Sequence, residues 1–149
     1  MRKRVLLVED HPDTSELIQR NLSHVGYDVL IAEDGCQAVA YAAHLLPDVI
    51  IMDIMLPKMN GLEATIEIRK NPKTAAIPIL AATALAAPGE RERCLAAGCS
   101  DYLAKPFTHK QLALALSRLL HQADSPNGNV SETVETSAGS GSRVVARSK

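Results

Sequence analysis

Cysteine is scarce in this chain: Cys36, Cys94 and Cys99 are odd in number and none stands in CxxC spacing. That leaves no basis for a disulfide framework and suits free thiols in a reducing compartment. Long hydrophobic runs are missing too. No stretch of 18 consecutive apolar residues occurs, so no transmembrane helix is expected. The basic start Arg2, Lys3, Arg4 is not followed by the apolar segment of a secretory signal. Neither sign of charge dominates, with 16 Lys and Arg against 17 Asp and Glu for a net charge of -1. No overall field therefore draws nucleic acid or an anionic membrane. The expectation is a cytoplasmic protein with no DNA or membrane partner. What is present is the composition of a globular protein, 46% hydrophobic over 149 residues, enough for one domain with a core.

Strand-like and helix-like stretches alternate five times. Val5–Val8 is a short apolar run, β-branched at both ends. A helical stretch begins near Pro12, repeats Leu17, Leu22 and Val25, and ends at Gly26. Strands are expected at Tyr27–Ala32, Val49–Met52, Ile77–Ala82 and Asp101–Ala104. Helices are expected at Gly35–Leu46, on residues after Asn60 as far as Asn71, at Arg91–Ala97, and after Thr108 with the stripe Leu112, Leu116, Leu119, Leu120. Such a (βα)5 rhythm implies a doubly wound α/β domain with right-handed crossovers. Periodicity stops after about Gln122. Residues 123–149, rich in Ser, Gly and Thr, read as a disordered tail too short for a second folded domain.

In sheets of this kind ligands bind at the carboxyl ends of the strands. Glu9 and Asp10 follow the first run, Asp53 the third, Thr83 the fourth and Lys105 the fifth. A lone carboxylate closing a buried strand costs several kcal/mol unless something compensates it. Three carboxylates in one pocket repel and call for a cation. With no His or Cys at the matching strand ends, the ion expected is hard and oxygen-liking, Mg²⁺ or Mn²⁺. Carboxylate, cation, ammonium and hydroxyl converging on one point stabilise a phosphoryl group on Asp53, with Asp53 as nucleophile. His11, next to the acidic pair, has no visible partner and reads as a loop residue.

Val8–Asp10, Met52–Pro57 with Asn60 and Gly61, Thr83 with Ala84, and Asp101–Phe107 together resemble the receiver domain of two-component response regulators. More narrowly, residues 4 to about 122 resemble stand-alone receivers of the chemotaxis and cell-cycle type. The resemblance implies a flavodoxin-like sandwich with sheet order 2-1-3-4-5 in a receiver domain of residues 1–122. It implies phosphotransfer onto Asp53 from a histidine kinase or histidine phosphotransfer protein. Mg²⁺ would be held by Asp10, Asp53 and the Met55 backbone carbonyl, with Glu9 acting through water. Lys105 would pair with the phosphoryl group, and Lys105–Pro106 is a cis-peptide candidate. Thr83 and Tyr102 would be the switch, with Ala84 leaving the pocket open to the phosphodonor. Met55 and Leu85 would tune dephosphorylation, two apolar side chains excluding the attacking water and slowing it.

The output is then protein–protein contact at the face of the fourth helix, fifth strand and fifth helix. The apolar stretch Leu85, Ala86, Ala87 is compatible with docking, in a monomer or weak homodimer. A phosphorelay intermediate remains an alternative. So does a Mg²⁺-dependent phosphohydrolase with an aspartyl-phosphate intermediate, although Met55 stands where such an enzyme places its acid/base carboxylate. A phosphorylation-independent interaction module on the same fold is the third class; it would usually show an eroded acidic site.

Overall fold

In a computed structural model of the chain, residues 2–85 and 87–124 are described. Ala86 lies outside the described residues, as do residues 125–149 of the expected tail 123–149. The chain divides into residues 1–119 and 120–149, and of the second unit only the end of the last helix is described.

The elements follow in the order β1 Arg4–Val8, α1 Pro12–His24, β2 Asp28–Ala32, α2 Gly35–Leu45, β3 Val49–Asp53, α3 Gly61–Lys70, β4 Ile79–Thr83, α4 Glu90–Ala97, β5 Asp101–Ala104 and α5 His109–Asp124. All four strand pairings are parallel, in the order β2-β1-β3-β4-β5. That is the doubly wound architecture the alternation implied.

β1, β3 and β4 are the interior strands, and β3 and β4 are buried along their whole length. Buried on both faces, such strands read as continuous apolar runs rather than alternating ones. Because side chains alternate across a strand, Leu6, Val8, Ile50, Met52, Ile79 and Ala81 share one face. They form a core with Ala38 and Ala42 of α2, Ala64 and Ile68 of α3, and Cys94 of α4. Their chain neighbours Val5, Leu7, Ile51 and Leu80 turn to the opposite face.

Several expected boundaries shift. β4 starts at Ile79 rather than Ile77, β2 at Asp28 rather than Tyr27, and α4 at Glu90 rather than Arg91. On α1 the buried residues are Ser15, Ile18 and Leu22, while Leu17 and Val25 are exposed. The stripe Leu112, Leu116, Leu119 and Leu120 is buried.

Asn60 caps α3 in a reciprocal capping box: its side chain accepts from the Glu63 N–H at 2.9 Å, and Glu63 accepts from the Asn60 N–H at 3.0 Å. Asn60→Ala is expected to cost about 1 kcal/mol, read as a lower urea midpoint at unchanged slope. No loss would mean that water serves these donors equally well.

Candidate functional site

Parallel pairing of β1, β3, β4 and β5 brings their carboxyl ends side by side. Val8 is in register with Met52, Asp53 with Ala82, and Thr83 with Ala104. The residues just beyond those ends therefore share one rim. Glu9 and Asp53 are almost fully buried there, with side chains 2% and 6% exposed, while Asp10 is half-buried.

The Lys105 ammonium bridges the two buried carboxylates, 3.0 Å from Glu9 Oε1 and 3.4 Å from Asp53 Oδ2. Asp53 Oδ1 accepts the Met55 N–H at 3.1 Å, which orients the carboxylate. Burial pushes the Asp53 carboxyl above its ordinary value; Lys105 opposes this and the negative charge of Glu9 adds to it. Burial also works to raise Glu9, but the Lys105 hydrogen bond and charge, joined by His11, outweigh it and hold Glu9 low. For Lys105, desolvation works downward, yet Glu9 and Asp53 together raise it, so the ammonium is held charged. The Lys105–Pro106 peptide bond is cis.

His11 departs from the sequence expectation of an unpartnered loop residue. Its Nδ1 lies 3.1 Å from Glu9 Oε2 and 3.2 Å from Asp10 Oδ1, and its backbone N–H donates to Glu9 Oε2 at 3.2 Å. Those carboxylates raise its pKa, the Glu9 hydrogen bond most. The cause is local: His11 is the N-cap of α1, and its ring folds back toward the strand end instead of capping the helix.

Among the described residues, Glu9, Asp10 and His11 form a group whose ligand atoms lie within 4.8 Å of one another. Asp10 Oδ1 is buried and accepts no hydrogen bond. Two carboxylates, one with a buried oxygen that accepts no hydrogen bond, suit a hard divalent cation, which takes oxygen ligands and keeps several waters. The donor set thus fits the cation expected from sequence, with an imidazole at its edge that the strand-end argument left out.

Thr83 and Tyr102 meet through one backbone. The buried Thr83 hydroxyl accepts the Leu85 N–H at 3.1 Å, and the Tyr102 hydroxyl donates to the Leu85 carbonyl at 3.1 Å. The Lys105 N–H donates to the Thr83 carbonyl at 2.8 Å. Leu85 is 38% exposed and Met55 56%, on a groove of about 430 Å³ completed by Ile54, Leu56, Asn60, Leu62 and Arg93. Ala84 is exposed and, with Lys105, lines a separate apolar groove of about 550 Å³ that includes Leu17, Ile18 and Phe107. Sequence reasoning also missed Glu90, 2% exposed, whose Oε1 pairs with Arg93 at 2.9 Å while Oε2 has no hydrogen-bond partner.

No helix among the described residues is long and apolar enough to cross a membrane. Comparison with known proteins agrees with the geometry. A profile of the response regulator receiver domain matches residues 5–117. The DNA-binding dual master transcriptional regulator RpaA of Synechocystis is 38% identical over 121 residues, 81% of this chain and 50% of that protein. The response regulator MprA of Mycobacterium sp. strain KMS is 36% identical over 128 residues, 86% of this chain and 55% of that protein. The chain therefore spans about half the length of these curated relatives.

Among solved structures, the receiver domain of sensor histidine kinase PA1611 from Pseudomonas aeruginosa PAO1 carries a magnesium ion coordinated in its active-site cleft. It is 43% identical, with a TM-score of 0.76 over 81% of this chain and 99% of that one. The chemotaxis protein CheY4 of Vibrio cholerae is 32% identical, with a TM-score of 0.76 over 80% of this chain and 99% of that one. By its sheet order, its rim of carboxylates and these matches, the chain belongs to the response regulator receiver domain family.

Proposed function

We propose that this chain accepts a phosphoryl group on Asp53 from a phosphohistidine of a histidine kinase or histidine phosphotransfer protein, in the cytoplasm. The observation that carries the reading is the Lys105 ammonium set across Glu9 and Asp53 at the strand ends. An Asp53 oxygen forms a P–O bond as the P–N bond to the donor imidazole breaks, and the Met55 N–H holds the carboxylate in orientation. Lys105, already charged and within reach, answers the negative charge delivered to Asp53. Glu9, Asp10, Asp53 and the Met55 carbonyl would hold Mg²⁺, with Mn²⁺ as a substitute; when bound, it offsets the charge on the phosphoryl oxygens.

Thr83 and Tyr102 act as the switch, coupled by the Leu85 backbone that both engage. Their movement alters the face of α4, β5 and α5, where a target protein binds. Met55 and Leu85, apolar and flanking the site, slow attack by water on the acyl phosphate. Met55 offers no acid or base for turnover of an external phosphoester. The reading includes no nucleic-acid contact by the described residues.

A second reading, a relay intermediate passing the group onward, is favoured by the 43% identity with a receiver that belongs to a sensor histidine kinase. Both readings share one test. Intact-mass measurement after incubation with acetyl phosphate is expected to show one added phosphoryl group with Mg²⁺ and none with chelator. A folded protein that gains nothing with Mg²⁺ overturns the assignment.

A further inference from the structure

The loop between β3 and α3, residues 54–60, supplies Met55 and is held at both ends by close backbone contact. At its far end the Gly61 N–H donates to the Ile54 carbonyl at 3.0 Å, and a Cβ on Gly61 would collide with the Asp53 carbonyl oxygen. At its outer side, a Cβ on Gly35 would run into the Met59 carbonyl oxygen and lie 2.8 Å from both the Met59 carbonyl carbon and its Cβ. Gly35 is the first residue of α2, so the helix start rests directly on the loop main chain.

A second tie lies beside this contact. Asp34, the N-cap of α2, accepts the Gln37 N–H at 2.8 Å with one oxygen. Its other oxygen is 3.5 Å from the Lys58 ammonium. Lys58 has φ +66°, a left-handed conformation that a non-glycine residue keeps only when its surroundings impose it. Met59 packs against the core formed by the sheet and α2–α4. The loop is thus pressed into shape by α2, which supplies none of the site residues.

We propose that the start of α2, through Gly35 and the Asp34–Lys58 pair, is the positioning element that sets the cation-binding geometry of residues 54–60. This rests on the reading in which Met55 supplies a backbone ligand. Groups outside the ligand set commonly govern metal affinity by orienting those inside it. Linkage then makes the coupling reciprocal: a cation that fixes the loop also fixes the start of α2, a route from the site to the α2–α3 surface.

Calorimetric titration of the full chain with Mg²⁺, paired with thermal melting in chelator, tests this. Gly35→Ala is expected to weaken Mg²⁺ binding about tenfold. Lys58→Gly accepts the positive φ without strain and frees the loop; it is expected to weaken Mg²⁺ binding about threefold with little change of melting in chelator. Wild-type affinity in a folded Gly35→Ala protein, whatever its melting temperature, reduces the contact to packing and overturns the proposal. Should Gly35→Ala fail to fold, unchanged affinity in Lys58→Gly overturns it alone. Failure of the wild type itself to bind Mg²⁺ overturns the metal assignment, a distinguishable result that removes this inference with it.

Discussion

Asp53→Asn is expected to gain no phosphoryl group from acetyl phosphate with Mg²⁺, yet to melt above the wild type in chelator. The first outcome follows from chemistry, since an amide oxygen is no substitute for a carboxylate nucleophile. The second follows from burial. Asp53 is 4% exposed, and desolvation, reinforced by Glu9, raises its pKa in spite of Lys105. A carboxyl raised in the folded state binds its proton more tightly there than in the unfolded chain. Its ionisation therefore destabilises the fold as pH rises from the ordinary aspartate range through the folded value, and the penalty is complete above it. Asparagine carries none of this. The advantage should be full above the raised folded value and fade as pH falls toward the ordinary aspartate range. Melting scans against pH with chelator check it. A lower melting temperature would mean that the Lys105–Asp53 attraction exceeds the cost of burying the charge. A phosphoryl adduct on the variant would move the acceptor to another residue.

Lys105→Met should produce the largest loss of stability at the site, about 3 kcal/mol in chelator, because removing one partner strands buried charge. The Lys105 side chain is 24% exposed, and its ammonium contacts the more deeply buried Glu9 and Asp53. Both carboxylates would then face each other without a counter-charge. Glu9 is depressed and Lys105 raised in the folded state. The depressed acid contributes stability above its unfolded value and loses it as pH falls through its folded one. The raised amine contributes below its unfolded value and loses it as pH rises through its folded one. The gap between wild type and variant is consequently widest across neutral pH and closes toward both extremes. Mg²⁺ should restore more stability to the variant than to the wild type, because no ammonium competes for the carboxylates. Urea unfolding with and without Mg²⁺ measures this. Equal Mg²⁺ gains in the two proteins would show that Lys105 and the cation act on separate charges.

The strand ends were legible because polar groups follow abruptly on apolar runs, as Glu9 and Asp10 do after Val8. Boundaries failed where a backbone group was missing or had another partner. Pro78 has no N–H to give to a ladder, so β4 opens at Ile79 although the apolar run opens at Ile77; the Pro78 carbonyl still accepts from Ile50 at 2.9 Å. Tyr27 is kept out of β2 because its N–H donates to the Leu22 carbonyl, closing α1 over Gly26 at φ +103°.

The face of α1 was misread for a different reason. One member of its buried stripe is Ser15, whose hydroxyl donates to the Pro12 carbonyl at 3.1 Å, so a polar residue occupies an apolar position. Leu17 and Val25 then carried the pattern by residue type alone. On α2 and α3, Tyr41 and Ile66 are exposed, while Ala38, Ala42, Ala64 and Ile68 make the inner faces. His11, Lys58 and Gly35 were beyond reach because their meaning lies in where the chain turns back, not in their neighbours along it. Arg69 belongs with them. It donates to the carbonyls of Ala75 and Ile77 in the turn leading to β4, and to the Gly98 carbonyl and the Ser100 hydroxyl about thirty residues on, between α4 and β5.

The Lys105–Glu9 contact joins residues 96 positions apart, and that separation has a bearing on synthesis. β1 pairs with its chain neighbour β2, but also with β3 across the intervening α1, β2 and α2, so the centre of the sheet cannot be closed from consecutive strands alone. A chain emerging from the ribosome as far as β4 holds Glu9, Asp10 and Asp53 before Lys105 has been made. Its acidic rim at that stage has no ammonium to answer it. The charge-balanced site is therefore complete only once the fifth strand and Lys105 after it have been made, while the last helix is still to come.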